Sequence, residues 1–141
     1  MKSGNGPRPS LTAVVISDNI TGDGSRATRA IRGISWVRAA QRAFEEFPAE
    51  VRSTCFDALT IAAEGGKAGI AKPLRGMGSG VLEIALPFRG DAFRVVYAVQ
   101  LADAVWVIHA FQKKSKKGIK TPAQDIELVK ARLKVLRGIL R

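Results

Sequence analysis

Four kinds of side chain in this sequence could do chemistry together: Glu83, Arg94, His109, and the lysines Lys113, Lys114, Lys116, Lys117 and Lys120. Five lysines within eight residues, directly after an apolar run and before Thr121-Pro122, form the strongest signal. One reading is a solvated turn. The other is a polyanion site, because a lysine cluster at the end of a strand concentrates positive charge where a phosphate can dock. Glu83 and Arg94 lie on two successive strand-like runs and alternate with bulkier apolar residues. If the intervening turn centres near Arg89-Gly90, they share a face and approach each other across the ladder. That pair is either an exposed ion pair of little energetic value or a carboxylate that moves a proton beside a guanidinium that holds a phosphate. His109 is the single histidine. Alternation groups it with Val105, Val107 and Phe111, which favours a hydrogen-bonded core residue, with general base as the functional alternative. Metal-free RNA cleavage needs a base for the ribose 2′-hydroxyl, cations for the charged transition state and an acid for the leaving oxygen.

The elements that must position these residues are short. Residues 81–86, 93–100 and 104–112 are rich in Val, Ile, Phe, Tyr and Trp, and the gaps between them fit hairpins. An antiparallel meander follows. Residues 31–37 supply a further strand. Residues 38–47 read as a helix, and Pro48 suits the first turn of a second. Its stripe is Val51, Cys55, Phe56, Leu59, Ala62 and Ala63, stopped by Gly65-Gly66. The two helices form a hairpin on one face of the sheet. Residues 67–80 read as a loop carrying Lys72 and Arg75; its glycines match no phosphate-loop or dinucleotide pattern. Thr121 can cap a last helix, with Pro122 at its first position and Gln124 completing a capping box. Ile126, Val129, Leu133, Leu136 and Leu140 give that helix a stripe that docks on the body or on a partner. Its charged residues, Arg132 among them, read mostly as solvated. Tyr97 and Cys55 read as packing. Residues 1–30 read as a flexible extension with a brief strand possible at 11–16, and residues 31–141 as the domain.

The 141 residues suffice for one core, and the 46% hydrophobic content excludes general disorder. The formal charge is +11, of which +8 falls after residue 108. Nucleic acid is therefore the first partner to consider, ahead of an anionic membrane or an acidic protein. One cysteine excludes an internal disulfide and a cysteine-rich zinc site. With no cofactor motif, no apolar run of membrane length and no leader-like segment, the expectation is a cytoplasmic, cofactor-free protein.

The runs AKPLRGMGSGVLEIAL, DAFRVVYAV and VWVIHAFQKKSKKGIKTP together resemble the RelE/HigB-type toxins of type II toxin–antitoxin pairs. The likeness is to the phage-derived HigB-like branch, with its "K-L-x-G … E-I/L-R … Y-R-V-x-Y … H-x-F-x-K-K … T-P" progression. It covers residues 31–138. The resemblance implies a RelE-like α+β fold: two N-terminal helices on a small, mainly antiparallel sheet of about four strands, plus a C-terminal helix. It implies mRNA endoribonuclease activity on the ribosome, on the concave face of the sheet, restrained by a cognate helix-turn-helix antitoxin of HigA type. Arg94 would contact the scissile phosphate, and Lys114, with Lys113 beside it, would stabilise the transition state. Glu83 and Ala85 stand where RelE has lysines, and the last helix lacks a tyrosine, so Glu83 or His109 would serve as base. Lys72, Arg75, Lys116, Lys117 and Lys120 would track RNA. The rival expectations are a non-catalytic RNA- or ribosome-binding module of the same fold, and an interaction protein whose basic face meets an acidic partner.

Overall fold

The computed structural model describes residues 11–14, 31–113 and 121–140. Along the chain run β1 (Leu11–Val14), β2 (Gly33–Val37), α1 (Arg38–Glu45), α2 (Ala49–Ala63), β3 (Ala71–Pro73), β4 (Val81–Phe88), β5 (Asp91–Leu101), β6 (Ala104–Lys113) and α3 (Ala123–Ile139). The fold is α+β. Six strands make one sheet in the order β1-β2-β6-β5-β4-β3. Only β2 and β6 pair in parallel; the other neighbours are antiparallel. Two of the six strands exceed the expected four. β1 hydrogen-bonds to β2, so residues 11–14 belong to the sheet edge. β3 lies inside the stretch read as loop from 67 to 80; three residues ending in proline carry too little pattern to register as a strand.

The β4–β5 hairpin closes on Arg89 and Gly90, both with positive φ (52° and 87°), with Phe88 facing Asp91. That two-residue primed turn matches the strand twist and fixes the register of everything above it. Leu82, Ile84 and Leu86 pair with Tyr97, Val95 and Phe93 and turn to one face. There α1 and α2 cover them. A run of rings, Trp36–Phe44–Phe47–Phe93, with centroids 5.0, 5.6 and 4.9 Å apart, ties α1 to the sheet. α2 buries Val51, Cys55, Ala58, Leu59, Ala62 and Ala63. The Cys55 thiol is fully buried, and burial pushes its pKa up to about 12, so it packs as a small apolar residue. Pro48 is the N-cap of α2 and stands just outside it.

α3 docks on the opposite face through Val129, Leu133 and Leu136, all buried. The body of the protein thus takes up the apolar stripe of this helix, and both faces of the sheet are covered. Tyr97 is fully buried, and its hydroxyl finds no hydrogen-bond partner among the described residues. Burial also raises its pKa. An unmet buried hydroxyl costs free energy, so Tyr97→Phe is expected to leave stability unchanged or raise it by about 1 kcal/mol in a urea melt. A loss of that size would mean that a bound water satisfies the hydroxyl.

Candidate functional site

The registers of β3 to β6 arrange the candidate residues in rows on the face that α3 covers. Lys72 faces Glu83, Glu83 faces Val96, and Val96 faces His109. In the next row Ala85 faces Arg94, and Arg94 faces Phe111. In the row beyond, Ala92 faces Lys113. Residues two apart on a strand share a face. Glu83, Arg94, His109 and Lys113 therefore stand on one side of the sheet, with Lys72 at its edge, exposed. Arg75 is exposed in the loop after β3 and outside these rows. Lys114, Lys116, Lys117 and Lys120 lie outside the described residues.

Glu83 and Arg94 sit on a diagonal of the β4–β5 ladder and meet. Arg94 Nη1 donates to Glu83 Oε1 at 3.1 Å. Thr121 closes the group: its hydroxyl donates to Glu83 Oε2 at 2.6 Å and accepts from Arg94 Nη1 at 3.4 Å. The Arg94 and Glu83 side chains are only 8% and 13% exposed, so the pair is screened far less than a surface ion pair. Thr121 was expected to cap α3 and Pro122 to begin it. Pro122 is instead the N-cap, with no side-chain cap bond, and Thr121 reaches back to the sheet. A charged acceptor on the sheet outbids the helix's own amides.

His109 belongs to a second chain of contacts. A bulge at Ile108 breaks the β6 pairing: His109 faces Val96, whereas Val107 faces Tyr97. The extra residue shifts the alternation, so His109 and Phe111 turn to the Arg94 face, and Val105 and Val107 turn to the other. This corrects the grouping of all four together. His109 Nε2 lies 2.7 Å from Asp125 Oδ1, and Nδ1 lies 3.4 Å from Arg132 Nη1. The tautomer that satisfies both carries its proton on Nε2, donating to Asp125 and accepting from Arg132. Arg132 also donates to the Ile108 carbonyl, freed by the bulge, at 2.9 Å. Arg132 is thus half-buried and bonded, not solvated as its helix position suggested. Burial pulls the His109 pKa below its ordinary value, and the Arg132 charge pulls the same way. The Asp125 hydrogen bond and charge pull against them. His109 is neutral at neutral pH, and both ring nitrogens are engaged. Its ring stacks on the half-buried Phe111 at 4.8 Å.

The arrangement offers a guanidinium to an anion, a carboxylate to a proton and an aromatic ring to a flat ligand. Thr121, Asp125, Arg132 and Phe111 are the members that sequence reasoning missed. Thr121 and Phe111 fall within the H-x-F-x-K-K … T-P progression, where local pattern marks one as a helix cap and the other as an apolar strand residue; Asp125 and Arg132 carry no local signal. Among the described residues no group of three or more His, Cys, Asp or Glu could hold a metal ion. No helix among them is long and apolar enough to cross a membrane.

This constellation coincides with a family match. Residues 42–134 match the family described as Phage derived protein Gp49-like (DUF891), a span that runs from the second half of α1 through most of α3, and the chain belongs to that family. The family is part of the RelE/toxin-like superfamily, which makes the chain a phage-derived, toxin-like protein. No curated protein and no solved structure matches the chain significantly.

Proposed function

We propose that the protein is the toxin of a type II toxin–antitoxin pair and a metal-independent endoribonuclease that cuts mRNA, in association with the ribosome. One observation carries the reading: the Glu83 carboxylate and the Arg94 guanidinium, in adjacent rows, are joined on one sheet face, and Lys113 stands in the row after Arg94. Glu83 Oε2 already accepts a hydroxyl proton donor, Thr121, at 2.6 Å. A ribose 2′-hydroxyl taking that place would give its proton to Glu83 and attack the adjacent phosphorus. The product is a 2′,3′-cyclic phosphate, and the leaving 5′-oxygen takes a proton from an ammonium of the run that starts at Lys113. Arg94 holds the phosphate as charge builds on it. Phe111 offers a stacking face to a base. His109 serves as a positioning residue, because both its nitrogens are occupied by Asp125 and Arg132. The excess of +11 suits a polyanionic substrate. An acidic helix-turn-helix antitoxin is the matching restraint.

The test presents RNA to the purified chain in two forms, bound to ribosomes in Mg²⁺ buffer and free in EDTA; cleavage in the first form tests the activity and cleavage in the second its independence of metal and ribosome. New ends are expected on ordinary RNA and none on 2′-O-methyl RNA. Retained cleavage of the methylated strand would overturn the 2′-hydroxyl step. One observation favours a second reading, an RNA- or ribosome-binding module without catalysis: both Glu83 oxygens are satisfied within the protein. Translation arrest in expressing cells without new mRNA 5′ ends would select it.

A further inference from the structure

A second cationic site lies on the same side of the molecule, farther along α3. A cavity of about 300 Å³ opens between the loop that precedes β4 and the helix. Its lining is Gly76, Met77, Lys130, Leu133, Lys134 and Arg137. Three of those six are cations, and none is an acid. At roughly 30 Å³ per water, the space admits a phosphate group together with part of its hydration shell.

The cavity is built rather than incidental. Arg137 Nη2 donates to the Met77 carbonyl at 3.2 Å, which ties the loop to the helix and fixes one wall. Leu133 and Met77 are buried and make an apolar floor. Lys130, Lys134 and Arg137 recur at spacings of four and three, so they project from one face of α3 toward the opening. One acid, Glu127, reaches a lining cation: its Oε2 lies 3.7 Å from Lys130 Nζ. Both side chains are mostly exposed (73% and 52%), so this contact is screened and weak. Arg137 also borders a smaller hollow of about 120 Å³ beside Gly80 and Gln100.

Position ties this cavity to the sheet site. Lys130 and Arg137 lie five and twelve residues beyond Asp125, roughly 8 to 18 Å along the helix at its usual rise. Lys72, opposite Glu83, and Arg75, in the loop just before Gly76, add exposed cations, one beside each site in register or sequence. We propose that the cavity between the 74–80 loop and α3 is a second phosphate-binding site, which holds the backbone of the same single-stranded RNA a few nucleotides from the Glu83–Arg94 pair. The inference rests on RNA as the ligand and not on its cleavage.

The experiment measures binding of a 2′-O-methyl RNA 12-mer by the full chain at a series of salt concentrations. The wild type is compared with Lys130→Ala/Lys134→Ala and with Glu127→Gln. These side chains are exposed, and Arg137, which braces the loop, is left in place. Each single-strand phosphate contact adds about 0.7 to the slope of log K against log salt. The lysine double variant is therefore expected to lose about 1.4 from that slope and to bind more weakly at every salt concentration. Glu127→Gln removes the competing carboxylate and is expected to bind more tightly. An unchanged slope in the lysine variant overturns the site, as does failure of the wild type to bind the 12-mer. Equal displacement of the RNA by polyglutamate would also overturn it, in favour of an acidic protein ligand. Loss of cleavage with this binding pattern intact would instead remove only the nuclease reading.

Discussion

Arg94→Ala is expected to lower RNA cleavage by about 10²- to 10³-fold, the usual loss when one preorganised donor is removed from a developing oxyanion. Cell growth on expression should recover accordingly. The variant carries a structural cost that must be separated from the chemical one. Glu83 would keep only the Thr121 hydroxyl on a carboxylate that is 13% exposed. Leaving such a group half-satisfied costs on the order of 1–3 kcal/mol. The control is Arg94→Ala/Glu83→Gln, in which no charge is stranded. Its thermal unfolding is expected to return toward the wild type, which assigns the stability loss to the stranded carboxylate; with the proposed base gone as well, this variant reads stability and not the role of Arg94 in cleavage. Arg94→Lys keeps the charge but not the planar fork, so it should fall between wild type and alanine. Folded Arg94→Ala with wild-type cleavage would end the phosphate-holding role.

The parts of this site that could be read from the sequence share one property: they follow from local geometry. Arg89-Gly90 is a hairpin turn by composition, and once it is placed, period-two alternation puts Glu83 and Arg94 on one face. The helices on the far face and the stripe of α3 follow from their periodicity in the same way. The bulge at Ile108 does not. Residues 105–111 are VWVIHAF, apolar on both sides of the histidine, so hydrophobic alternation gives no sign of a phase slip. Both faces of this strand are buried, and that removes the polar marks that normally report register. Asp125 and Arg132 escaped for another reason. They lie 16 and 23 residues beyond His109 and meet it only because α3 docks on that face. Thr121 shows the same limit from the other side. Its capping pattern is sound locally, yet a carboxylate 38 residues earlier in the chain takes the hydroxyl. Tertiary partners of polar side chains are set by docking, and docking is not written in any short window.

The histidine chain leads to the other large effect, which concerns stability against pH. His109 is held neutral in the folded protein, with its pKa lowered chiefly by burial, and it titrates at its ordinary value once unfolded. Below about pH 6.5 the unfolded chain therefore binds the extra proton. Stability from this residue is present above that pH and is lost as the pH falls through it. The slope for one proton approaches about 1.4 kcal/mol per pH unit. Protonation would also place an N–H at Nδ1, facing the Arg132 guanidinium 3.4 Å away, where the neutral ring accepts. Asp125 opposes this by favouring the imidazolium, so the first half of α3 is held to β6 through three groups whose balance depends on one proton. His109→Gln can donate to Asp125 but cannot titrate. Its melting temperature is expected to lie below the wild type at pH 7.5 and to fall less between pH 7.5 and 5.5. Equal losses in both proteins over that range would mean that the His109 proton is not what acid adds. Hydrogen exchange localises the effect: amides of the first turns of α3 and of β6 near Ile108 should lose protection in the wild type at pH 5.5 before those of α2, which packs on the other face of the sheet.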